Sequence, residues 1–516
     1  MTTTVEQLSL EEKIAQLVFV RMGSNLPPIV TASDDEERVA ALLEDCPVGG
    51  LLLFNGVWPE VRASLGRLQA KVKTPLLVSA DLERGAGQQL AGLTVFPHAR
   101  AFAELGEQTQ ADLRRAIEIT AEEALQAGVQ ILFAPVADAN TNPKNPIIAT
   151  RAYGEEPAAV AELVATVVDA MNSAGALAAA KHFPGHGDTS QDSHAELPSV
   201  DHPAEVLHRQ ELVPFRAAIA AGVPLIMSAH VCYPALDPSG EPATFSKAIL
   251  TDLLRGELGF EGAVCSDSLL MAGATGRYES EAEMAAAALT AGVDLLLDLA
   301  HPVATVREMS AMVERGDLPL ERVDEALGRV MRLKERVAGV TPFSPEIGAE
   351  QRDANRVFAA AAAEGAIRIF GDGPPPTLDP KKSTTVVLTK PFNLPTDPAK
   401  QPLADAIGQL LPGAQYFEFG PEIDQVAADA AVAAAADSDQ VLLAVIAKPA
   451  AWHAFGMTDD QRRLAERLAA DTKTIVASLG VPTILADFPA DRPKLCTFSD
   501  VPASQQALAR KLCGGA

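Results

Sequence analysis

The chain has 516 residues, enough for two or three domains. Apolar residues make up 48% of it, which supplies a large buried core and excludes a disordered chain. It carries 42 basic against 68 acidic residues, a formal net charge of −26, so neither nucleic acid nor an anionic membrane surface is expected as a partner. The N-terminus, Met1 to Gln16, has no basic segment followed by an apolar one, so no secretory signal is expected. No apolar run reaches the ~18 residues of a membrane span. The five cysteines (Cys46, Cys232, Cys265, Cys496 and Cys513) are scattered without CxxC spacing, which argues against a disulfide framework or a thiolate zinc site. A reducing cytoplasm is the expected location.

In chain order, short apolar runs alternate with longer amphipathic stretches. Eight runs read as buried parallel strands: Leu17–Val20, Gly49–Phe54, Pro75–Ala80, Val129–Pro135, Leu177–His182, Pro224–His230, Gly262–Ser266 and Val293–Asp298. Helices are expected between most of them, at Asp34–Glu44, Trp58–Lys71, Thr109–Ala127, Pro157–Ser173, Leu212–Ala221, Lys247–Gly256 and Ser280–Ala291. Pro157 suits a first helical position, and Ser280 with Glu283 has the spacing of a capping box. The alternation predicts an α/β fold, a (β/α)8 TIM-type barrel over residues 1–340 that ends on a helix at Leu320–Val337. Residues 341–351, broken by Pro342, Pro345 and Gly348, read as a linker. The pattern restarts over 352–516 as a second, sandwich-like α/β domain. Strands are expected there at Ala366–Phe370, Thr384–Leu388, Gln415–Phe419, Gln440–Ile446, Thr474–Ser478 and Pro482–Ala486. Helices are expected at Pro402–Leu411, Glu422–Ala436, Thr458–Ala470 and Ala503–Lys511. This domain has no P-loop and no GxGxxG after a strand; Trp452 and His453 fall in a loop.

A barrel of this kind places its site at the C-terminal ends of the strands. Asp81, Glu83 and Arg84 follow strand three. Asp138, Asn140, Asn142 and Arg151 follow strand four. Strand five ends in Lys181 and His182, strand six in His230, strand seven in Asp267 and strand eight in Asp298. Any one of these is explained by a cap or an ion pair; together they describe a catalytic mouth. The densest segment is KHFPGHGDTSQDSHAELP, Lys181–Pro198, with three of the nine histidines, at 182, 186 and 194. Within it Asp192 stands two residues from His194, a pairing that can fix an imidazole and support its charged form as a proton shuttle. The segment GFEGAVCSDSLLMAG, Gly259–Gly273, delivers Asp267 on a rigid strand end, where a carboxylate can serve as nucleophile or, more blandly, as a helix cap.

Lys181–His194 and Val264–Ala272 resemble the paired signatures of glycoside hydrolase family 3, in particular its β-N-acetylglucosaminidases. Ser9–Ile14, Phe133–Asp138 and Met227–His230 are similar to that family too. The resemblance spans residues 5–340. It implies a retaining exo-hydrolase acting on carbohydrate with a terminal β-linked N-acetylglucosamine. Asp267 matches the catalytic nucleophile, His194 the general acid/base and Asp192 its partner. Lys181, His182, Arg151 and Asp81 match sugar-binding residues, and Arg84 and His230 complete the expected substrate-binding set. No cofactor and no metal are expected. The chain departs from the family pattern twice. After strand three it reads Asp81-Leu82-Glu83-Arg84-Gly85-Ala86, with the arginine two places early, and after Asp267 it has Ser268 where an aspartate is frequent.

Three other readings compete. A metal-dependent barrel hydrolase could use His182, His230 and Asp298, although strand one ends in Val20-Arg21-Met22 without a His-x-His pair. A glycoside phosphorylase would use phosphate instead of water, but an anionic acceptor needs no Asp192/His194 base. A sugar-binding protein without activity would not need the set Asp192, His194 and Asp267. Removal of N-acetylglucosamine from cell-wall fragments in the cytoplasm is the expected role.

Overall fold

A computed structural model describes residues 8–189, 197–338, 347–371, 373–393, 398, 400–449 and 455–514. The chain forms two compact units. The first comprises residues 1–94, 113–145 and 154–353, and the second 95–112, 146–153 and 354–516.

The first unit is built on eight parallel strands: β1 (Val18–Met22), β2 (Gly50–Leu53), β3 (Leu77–Ala80), β4 (Ile131–Leu132), β5 (Leu177–Phe183), β6 (Leu225–Ser228), β7 (Ala263–Cys265) and β8 (Leu296–Leu297). They pair in the order β8-β1-β2-β3-β4-β5-β6-β7. A parallel bridge between Cys265 and Leu295 brings the two ends of that order together, so the sheet curls into a nearly closed barrel. Each strand overlaps one of the eight apolar runs; six lie wholly inside, while β1 continues past Val20 to Met22 and β5 past His182 to Phe183. All are buried along their length except at Arg21, as expected where helices cover a parallel sheet.

The intervening helices follow the sequence periodicity closely, for example Pro157–Ala174 and Leu320–Val337. Ser280 caps the helix Glu281–Ala291 by accepting from Glu283 N at 3.2 Å. The Glu283 carboxylate completes no box on Ser280; it reaches one residue further back, to Glu279 N at 3.1 Å. The helix Ala248–Glu257 is π-wound, and Leu258 N donates to Leu253 O, five residues back, at 2.9 Å. Between β7 and β8 lies Asp294, which is fully buried. Its Oδ1 accepts from Arg322 (2.8 Å) and Arg329 (3.1 Å), and its Oδ2 from Arg255 (2.7 Å) and Val264 N (2.9 Å).

The second unit holds a six-stranded sheet: β9 (Arg368–Phe370), β10 (Thr384–Thr389), β11 (Gln415–Phe419), β12 (Gln440–Ala447), β13 (Thr474–Gly480) and β14 (Lys494–Cys496). The order is β9-β14-β13-β12-β10-β11, with only β9 antiparallel. Its five parallel strands, counted along the chain, therefore lie 2-1-3-4-5, a doubly wound order. Apolar clusters cover both faces of the sheet. Two expectations fail here. Pro482–Ala486 is not a strand but a 3₁₀ turn, Pro482–Asp487, with Pro482 at its start. The strand that follows β13 is instead β14, between β9 and β13 and too short to register as an apolar run. A helix at Ala349–Gly365 begins inside the segment read as a linker; residues 339–346 lie outside the described residues. No helix among the described residues is long and apolar enough to cross a membrane.

Candidate active site

The barrel rim gathers its polar residues into two clusters. In the first, Lys181 at the end of β5 is buried to 2% exposure. Its ammonium lies 2.6 Å from Asp81 Oδ1 and 2.6 Å from Glu83 Oε1. Asp81 and Glu83 are two residues apart beyond β3, a spacing that puts both carboxylates on one side of extended backbone. A cation this deep is tolerated because both acids pair with it. Asp81 is the more exposed of the two, its side chain at 32% against 12% for Glu83. Arg84, next along, is half-buried, and its backbone N–H donates to Gln88 Oε1 at 3.1 Å.

His182 is joined to Lys181 by a cis peptide. Its Nδ1 meets Asp138 Oδ2 at 2.7 Å, and its backbone N–H donates to the same carboxylate at 3.1 Å. Asp138 has no solvent exposure, and it also accepts from His186 N at 2.7 Å. One carboxylate thus fixes a strand-end ring and the turn that follows it. Asn145 holds the other side of that turn, donating to His186 O (2.8 Å) and Gly187 O (3.0 Å). Position 187 has to be glycine, because a Cβ there would stand 1.7 Å from Ala139 O. Asp192 and His194 lie outside the described residues.

The second cluster surrounds Asp267, half-buried just beyond β7. Ser268 N donates to Asp267 Oδ1 at 2.7 Å. Ser268 Oγ donates to Asp298 Oδ2 at 2.7 Å. Asp298 sits at φ 67 and also takes a forked bond from Arg21, whose Nε is 3.0 Å from Oδ1. The departure at 268 therefore has a structural partner: a carboxylate there would face Asp298, whereas a hydroxyl donates to it. His230 bonds through Nε2 to Ser268 O at 3.0 Å, so that nitrogen carries a hydrogen; Nδ1 lies 2.9 Å from Thr244 Oγ1. With both ring nitrogens occupied by protein, His230 braces the backbone beside Asp267.

Arg151 falls in the second unit, on the turn Ala149–Arg151, with Nη1 3.3 Å from Ile147 O. Asp81, Arg84, Lys181, His182, His230 and Asp267 lie in the barrel unit. The sequence places Glu83 on the rim without a role, and it does not point to Arg21, Asn145 or the buried residues Glu211 and Tyr233. For Glu83 the Asp-x-Glu spacing was a usable signal; for the others the chain offers none. The set His182, His230 and Asp298 does not form a metal centre, since each is held by Asp138, Ser268 and Arg21 respectively. Among the described residues no group of three or more His, Cys, Asp or Glu is arranged to hold a metal ion.

Replacing Lys181 with methionine is expected to lower kcat/KM by about 10²-fold, because Asp81 and Glu83 are left facing each other without their charge-assisted bonds. Steady-state kinetics on an aryl glycoside measure it, with retained melting behaviour as the control for folding.

Residues 9–333 match the family described as Glycosyl hydrolase family 3 N terminal domain. The chain belongs to glycosyl hydrolase family 3. It is 33% identical over 341 residues to the Beta-N-acetylglucosaminidase/beta-glucosidase of Cellulomonas fimi, covering 64% of this chain and 58% of that one. A Beta-hexosaminidase of Alkalilimnicola ehrlichii is 40% identical over 282 residues, covering 53% of this chain and 79% of its own. Among solved structures, a glycoside hydrolase family 3 beta-N-acetylglucosaminidase from Paenibacillus sp. str. FPU-7 aligns with a TM-score of 0.87 at 31% identity, covering 98% of this chain and 97% of its own.

Proposed function

We propose that the chain is a retaining exo-β-N-acetylglucosaminidase. The observation that carries this is the placement of Asp267 on a rigid strand end, one oxygen fixed by Ser268 N, on the same barrel rim as the Lys181–Asp81–Glu83 cluster. The names of the similar proteins point to the same sugar. In this reading Asp267 attacks the anomeric carbon and the C–O bond to the leaving group breaks, giving a glycosyl ester. His194, tuned by Asp192, gives its proton to the departing oxygen, then takes one from the water that hydrolyses the ester. An imidazole in this role adds no second negative charge beside the nucleophile. Asp81, Arg84, Arg151, Lys181, His182 and His230 serve the sugar or the backbone around it. The natural substrate we propose is a cell-wall fragment, met in the cytoplasm.

His194→Ala tests the acid role. On aryl β-N-acetylglucosaminides its rate is expected to fall by roughly 10²–10⁴-fold for poor leaving groups and far less for good ones. A variant that keeps the wild-type ratio between good and poor leaving groups overturns the assignment. Turnover with and without phosphate distinguishes hydrolysis from phosphorolysis in the same assay.

A further inference from the structure

Beneath the turn that follows β5 lies a carboxyl group that the proposed chemistry does not use. Glu211 precedes the helix Leu212–Ala220 but does not cap it. It is 1% exposed. Both its carboxyl oxygens are buried and have no well-aligned hydrogen bond among the described residues, the Gly187 N–H interacting only weakly. Gly185 rests directly on it: a Cβ at 185, where φ is +140, would stand 2.4 Å from Glu211 Oε2. The rest of the turn is well bonded. Tyr233 OH donates to Gly185 O, Asp138 accepts from His186 N, Asn145 donates to His186 O and Gly187 O, and His186 Nδ1 meets Thr189 Oγ1 at 2.7 Å. Thr189 is followed at once by the segment that contains Asp192 and His194.

We propose that Glu211 is a positioning residue for this turn, supporting Gly185–Thr189 from below as an un-ionised carboxylic acid and displacing it when the proton is lost. The proposal rests on the acid/base reading of Asp192 and His194 only for its effect on turnover.

The surroundings leave ionised Glu211 without a counter-charge. Asp138 faces it from beyond β4 and Asp188 from the turn after β5, and both are acids. Tyr233 faces it from beyond β6, and burial holds that phenol well above its ordinary range. His182 and His186 are engaged by Asp138 and Thr189, and His202 by Asp188. On its own side of the chain, Arg209 is exposed and bonds Glu205 O, and Arg216 is exposed and pairs with Glu257. Burial first, then Asp138 and Asp188, push the Glu211 carboxyl up to about 8, against a small opposing pull from Gly187 N–H. The unfolded chain ionises this group in the ordinary carboxylate range. Wild-type stability should therefore fall as pH rises from there to about 8, and the loss is absent at lower pH.

Glu211→Gln, permanently neutral and of the same shape, tests this. Its melting temperature relative to wild type should rise steadily between pH 5 and 8. Amide exchange in the peptide from Phe183 to Thr189, corrected for base catalysis, should speed up by as much as about tenfold per pH unit between pH 5 and 8 in wild type, level off above 8, and stay flat throughout in the variant. The alkaline limb of kcat/KM should move to higher pH in the variant. Identical pH dependence of melting and exchange in both proteins overturns the proposal. Should the variant fail to fold, the infrared carbonyl band of an un-ionised carboxylic acid in wild type at pH 7, titrating away near pH 8, decides it, and absence of that band is the overturning result. Melting and exchange need no substrate, so a failure here is separate from a failure of the glycosidase reading, which the leaving-group series of His194→Ala reports.

Discussion

Asp267→Asn is expected to lower kcat on an aryl β-N-acetylglucosaminide by on the order of 10⁴-fold while the protein stays folded. The two effects separate because the asparagine oxygen can still accept from Ser268 N, so the local backbone keeps its hydrogen bond. What disappears is the negative charge that, in the proposed mechanism, attacks the anomeric carbon and leaves again from the glycosyl ester. Amide oxygen is a poor substitute on both counts. A fluorinated N-acetylglucosamine analogue that slows the second step should leave a covalent label on the wild-type peptide containing residue 267, detectable by mass spectrometry. Label on another residue, or an Asn variant within about tenfold of wild type, defeats the nucleophile assignment.

Asp294→Ala is expected to produce the largest loss of stability, about 3–5 kcal/mol. Arg255, Arg322 and Arg329 converge on this single buried carboxylate, and Val264 N donates to it as well. Removing it leaves three guanidinium groups close together with no anion, and an unsatisfied N–H on β7. A large-to-small cavity alone costs less than this, because the excess is electrostatic. Denaturant unfolding measures the change. Asp294→Asn should fall between wild type and alanine, since it keeps hydrogen-bond acceptance without charge. Activity should drop too, because Val264 lies on the strand that ends at Asp267. An unchanged unfolding midpoint in the alanine variant excludes Asp294 as the keystone of this seam.

The barrel was readable in the sequence because parallel strands buried on both faces leave unbroken apolar runs, and β1 to β8 each overlap one. The same signal misleads at Pro482–Asp487, where Pro482, Ile484, Leu485 and Ala486 suit one helical turn as well as a strand. It is silent at β14, whose three residues take their ladder from neighbours on both sides. At the rim, residue types and strand ends were readable, but partners were not. Lys181 meets Asp81 across 100 positions and Arg21 meets Asp298 across 277. Arg21 looked from the sequence only like the lack of a metal ligand. Glu211 carried no sequence signal, because a glutamate ahead of an apolar helix ordinarily faces water, and only the packing of Gly185 against it reveals that it does not.

The hydroxyl at Ser268 also shapes the electric field of the mouth. With a neutral donor between Asp267 and Asp298, and Arg21 paired with Asp298, the charge of Asp298 is offset by its own partners and does not add in full to that of Asp267. In the proposed mechanism, a sugar ring acquiring positive character at one carbon would thus meet one carboxylate beside an acid already balanced by its own partners.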